Sequence, residues 1–60
     1  EAEIRLEVSN LYFKGVDLYA ADKIQEAVKL WKEALELKPD HARVRKDLAR
    51  AESKLQLLNR

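Results

Sequence analysis

Sixty residues with no cysteine and a single histidine describe one small domain at most, without a disulfide staple and without the ligands for an imidazole or thiolate metal site. The net charge of +1 hides only a mild asymmetry. Residues 1–39 carry six basic and eight acidic groups and residues 40–60 carry six and three, so neither part is a charge block. No apolar run approaches the roughly 20 residues that span a bilayer, and no signal-peptide pattern is present. The missing cysteines fit any compartment, so a soluble protein of the cytoplasm or of a bacterial periplasm is expected, with the choice left open. A chain opening on Glu1 rather than methionine is expected to be a processed or excised piece of something longer.

One glycine and one proline, among abundant Ala, Leu, Glu and Lys, favour helix nearly throughout. Short polar interruptions divide the chain into helices over roughly 2–21, 23–37 and 41–58. Connections this short make neighbouring helices antiparallel and touching.

Helix one is apolar over about two thirds of its circumference at about 100° per residue. One broad arc holds Leu18, Leu11, Ile4, Val8, Tyr19, Tyr12 and Val16, and it continues through Ser9 and Ala20 to Phe13 and Leu6. Asp17, Asn10, Glu3, Lys14 and Glu7 form the polar strip. This breadth makes helix one the expected central element, with more apolar surface than two neighbours can cover. Gly15 in its middle costs about 1 kcal/mol relative to alanine, so it calls for a reason. Close approach of helix two, with the Trp31 side chain filling the space, supplies one; a surface glycine is the alternative.

Asp22 followed by Gln25 matches a capping box that opens helix two. That helix is expected to bury Ile24, Ala27, Trp31, Ala34 and Leu35. Pro39 stops it, and Asp40 is the expected N-cap of helix three. In helix three Val44, Leu48, Ala51, Leu55 and Leu58 make a narrow stripe at heptad spacing, with charges over most of the rest. Packing against helix one explains the stripe more simply than a coiled coil. Leu57 points away from it and is a candidate second contact.

The residues from Val8 to His41 resemble a tetratricopeptide repeat, a helix-turn-helix unit. Leu11, Gly15, Leu18, Ile24, Ala27, Trp31, Ala34 and Pro39 fall at the repeat's signature positions, and Glu26 through Asp40 (EAVKLWKEALELKPD) is especially close to the pattern. Lys14 departs from a usual leucine and Asp22 from a common glycine. The resemblance implies an all-α fold: a three-helix antiparallel unit of a right-handed superhelix, with a repeat over 8–41 and a solvating cap over 41–58, the whole forming a single domain over 1–60. Leu48 and Ala49 match the start of a further repeat, but Arg45 and Glu52 do not, which favours a cap. A repeat of this class does not bury its faces alone.

In this family the first helix builds the concave surface, which implies a protein-binding face of Ser9, Tyr12, Phe13, Val16, Tyr19 and Ala20. Tyr12 and Val16 stand where carboxylate-clamp members carry Lys, Asn or Arg, so the resemblance does not extend to that binding mode. An apolar, aromatic face suits a protein or peptide with an apolar helix or segment, and above all a second copy. A homo-oligomeric interaction or assembly module is therefore expected; a structural end-cap or fragment of a longer array is the alternative. Arg43, Lys46, Arg50 and Lys54 on the outer face of helix three raise nucleic-acid binding. Asp47 among them, within pairing reach of Arg43 and Arg50, favours a solvated face instead. Catalysis is not expected: there is no Gly-rich phosphate loop, cysteine nucleophile or second histidine, and no cofactor is implied. His41 is expected to be an exposed residue early in helix three.

Overall fold

The computed structural model describes residues 2–58. They form α1 (Ala2–Ala20), α2 (Ile24–Leu37) and α3 (Ala42–Leu58), with no strand among them. The result is an all-α, three-helix bundle measuring 40 × 20 × 13 Å. The sole proline lies in the second connection, and Gly15 is helical, inside α1.

Both helix junctions differ from the capping expected of them. Asp22 does not cap α2. Lys23 occupies the N-cap position and no side chain bonds the free amides there. Asp22 instead sits in the left-handed region, φ 67°. The amides of Asp22 and Lys23 donate back to the carbonyls of Tyr19 (3.0 Å) and Leu18 (2.8 Å). This paired reverse bonding is a Schellman motif closing α1, with Asp22 at the residue that must turn left-handed. Asp tolerates that conformation better than most residues, though less well than glycine. A carboxylate committed to this turn residue is not placed as the cap of the next helix.

Nor does Asp40 cap α3. The imidazole Nδ1 of His41 accepts a hydrogen bond from the Val44 amide at 3.3 Å, and the His41 carbonyl accepts from Arg45 at 3.1 Å. His41 is thus the N-cap, half-buried, one residue later than Asp40. Ahead of it, the Lys38 amide donates to Ala34 at 2.9 Å and the His41 amide donates to Lys38 at 3.2 Å, which carries the chain around Pro39.

The central element is α2, not α1. Ile24, Ala27, Val28, Trp31 and Ala34 are buried along it, whereas α1 contributes Val8 and Gly15 to the buried set and α3 contributes Val44 and Ala51. Leu35, expected to be buried, is half-buried. Leu11, Leu18, Leu48 and Leu55 pack half-buried against this core. Both flanking helices pack on α2 and barely meet each other. The apolar stripe of α3 therefore serves α2 rather than α1, and it ends before Leu58, which is 60% exposed. Helix α1 is apolar on more faces than one neighbour can cover, so its breadth measures uncovered surface as much as core. Ile4, Leu6, Phe13 and Val16 remain exposed on it.

Candidate interaction surface

Trp31 organises the ground between α1 and α3. It is buried, and its indole lies against Gly15, where a methyl group would stand 2.8 Å from Cδ1 and Cε2 and closer still to Nε1. The missing side chain at Gly15 lets the indole Nε1 reach the α1 backbone and donate to the Tyr12 carbonyl at 3.1 Å. Tyr12 and Tyr19, two turns apart on α1, stack on either side of it with centroids at 6.2 and 5.9 Å and rings inclined by 28° and 30°. Offset stacking of this kind adds about 0.5–1.5 kcal/mol per pair beyond burial. Glycine spacing and aromatic spacing on α1 thus act together to seat one tryptophan.

Two contacts join α1 to α3 across the same ground. The Tyr12 hydroxyl donates to Asp47 Oδ2 at 2.7 Å, and Lys54 Nζ lies 5.1 Å from the Tyr19 ring centroid, a cation–π distance. The hydrogen bond to Asp47 raises the Tyr12 pKa above its ordinary 10.0, with burial and the Asp47 charge adding and Arg43 opposing. Asp47 therefore serves Tyr12; among the described residues no arginine lies within ion-pairing distance of it. Nor do Asp47, Arg50 and Lys54 lie on an outer face: they form the α3 wall that faces α1. The one ion pair among the described residues, Lys32–Glu52 at 3.7 Å, is exposed and joins α2 to α3, where such a pair contributes little.

Between these walls lies an open cleft of about 330 Å³. Tyr12, Val16, Tyr19 and Ala20 of α1 form one side, Asp47 and Arg50 of α3 the other, and Trp31 the floor. The six α1 residues expected to form a binding face thus divide. Tyr12 and Tyr19 are half-buried in the cleft; Val16 and Ala20 are exposed on its lip; Ser9 and Phe13, the latter 62% exposed, face solvent beyond it. Phe13 nevertheless meets Tyr12 edge-on at 5.4 Å, which ties the two parts together. Leu57, 65% exposed in the last turn of α3, takes no part in the cleft lining.

Asp47 and Arg50 join this surface although the helical pattern of α3 sets them on a solvated face, and Trp31, expected as core, also forms its floor. The available signal was the position of Asp47 and Lys54 beside the apolar stripe of α3 rather than opposite it. Among the described residues no group of three or more His, Cys, Asp and Glu could hold a metal, and no helix is long and apolar enough to cross a membrane. No family model, curated protein or solved structure matches the chain.

Proposed function

We propose that this chain is a tetratricopeptide-like protein-interaction module that works by self-association, without catalysis of its own. The observation that carries the reading is the uncovered apolar face of α1, where Leu6 and Phe13 are each more than 60% exposed beside the aromatic cleft. A contiguous apolar patch on so small a protein marks an interaction site. The repeat-like packing supports the same reading. Gly15 lies against Trp31, Ala27 and Ala34 are wholly buried between helices, and Asp22 is left-handed where the repeat commonly carries glycine. A right-handed superhelical unit completed by a second copy is the architecture these features suit.

Concentration-dependent unfolding tests the proposal. If folding is coupled to dimerisation, the thermal midpoint rises with protein concentration. Phe13→Glu, an exposed position, removes that dependence while keeping the helix content. Tyr12→Glu is the poorer test, because it also strips the Trp31 stack and the Asp47 bond. A midpoint independent of concentration in the unsubstituted protein overturns self-association. It would favour the second reading, an end-cap of a longer array, for which Ile4 and Leu6 would meet a preceding repeat.

A further inference from the structure

We infer that two copies associate with their α1 helices side by side and parallel, the acidic edge of each α1 meeting the basic α3 wall of the other. This rests on the self-association proposed above and specifies its geometry.

The exposed face of α1 is itself a regular seam. Leu6, Ser9, Phe13, Val16 and Ala20 follow one another at spacings of three and four residues, the pattern by which one helix packs along another. The core stripe of α1, with Val8 and Gly15, is separate from it, so the seam is left over after the fold is complete. The molecule also exposes more surface than its size calls for. Its 4655 Å² compares with about 4,000 Å² for a compact monomer of 7.0 kDa.

Charge chooses the partner and the direction. One flank of the seam carries Glu3 and Asp17 with the neutral Asn10 between them, all exposed; the other borders the cleft, beyond which stand Arg43, Arg50 and Lys54 of α3, with the Asp47 carboxylate among them bonded to Tyr12. Each copy therefore presents an acidic edge, an apolar seam and a basic wall in that order. A twofold axis parallel to the helices reverses the order in the second copy, so each acidic edge faces a basic wall. An antiparallel arrangement sets acid against acid. The contacts Tyr12–Asp47 and Tyr19–Lys54 both join residues 35 apart, which fixes the level of α3 against α1 and makes the two run in the same direction. In that register Asp17 lies level with the interval between Arg50 and Lys54, within about 3 Å of rise of each. Asn10 falls within the same distance of Arg43. Asp17 has no ion-pair partner among the described residues of its own chain, so its carboxylate is available to another.

Charge reversal and mixing test the arrangement. Asp17→Arg and Arg50→Asp both change exposed positions, and circular dichroism checks that each variant keeps its helix content. Each alone sets like charges together at two symmetric places, and we expect dimer dissociation constants weakened roughly tenfold. Mixing equal amounts of the two variants pairs the introduced arginine with the introduced aspartate at one place. The native Asp17 and Arg50 stay paired at the other. The mixed dimer should then recover to within about threefold of the original affinity at low salt, less at high salt. Single variants that dimerise like the original protein, or weakened variants that mixing fails to rescue, overturn this geometry while self-association stands. A monomeric original protein overturns both.

Discussion

Glycine at position 15 is placed by the indole of Trp31, and the sign of its replacement decides whether that account is right. On an open helix face, Gly15→Ala would stabilise the protein by about 1 kcal/mol through helix propensity. Here the new methyl group meets Trp31, whose own place is held by the Tyr12 carbonyl and two stacked tyrosines. Overpacking of this kind costs about 1–3 kcal/mol, so denaturant unfolding should show a net loss of about 1 kcal/mol. Tyr12 offers a second residue-scale test. The protonated phenol donates to Asp47, so its pKa is raised in the fold. A raised pKa contributes stability that is whole below the unfolded value near 10 and is lost as pH rises through the folded value. The stability difference between the protein and Tyr12→Phe should therefore be constant near neutrality and shrink above about pH 10. An unchanged difference at high pH would remove Asp47 from the role given to it. The need for Gly15 was legible because a mid-helix glycine demands a close neighbour. The Tyr12–Asp47 pair was not, since Asp47 has arginines at helical spacing on both sides and nothing local favours the residue 35 positions away.

At the scale of the elements, the three helices and the stop at Pro39 follow from composition, and their observed bounds lie within a residue of those expected. The caps do not. Aspartate serves equally as an N-cap and as a left-handed turn residue. The choice at Asp22 depends on how tightly α1 must turn to bring α2 back against it. The Schellman geometry gives a direct prediction. Asp22→Gly should match or exceed the original stability, because relief of the left-handed strain is partly offset by the freer unfolded chain. Asp22→Val, β-branched at positive φ, should lose about 1 kcal/mol or more in thermal unfolding. Equal stability for the valine variant would contradict the assigned turn. His41 carries the parallel lesson. An imidazole is a less common cap than a carboxylate, and only the path of the chain around Pro39 brings its Nδ1 to the Val44 amide.

For the whole molecule, the distribution of apolar residues has two meanings that a helical wheel does not separate. Helix α2 buries a narrower arc completely, while α1 spreads its apolar residues over a core stripe and an outer seam. The wheel therefore ranks α1 first although α2 is central. The candidate face itself was legible, because Phe13 and Val16 continue the apolar arc past any point one neighbour could cover. Its basic wall was not, because the level of α3 against α1 depends on both helices packing on α2. On the self-association proposed above, a second copy covers this face. Light scattering on a size-exclusion column, across a range of loading concentrations, reads that coverage as mass. The expected molar mass is twice 7.0 kDa, falling toward 7.0 kDa on dilution or in Phe13→Glu. A mass of 7.0 kDa at every concentration would contradict it.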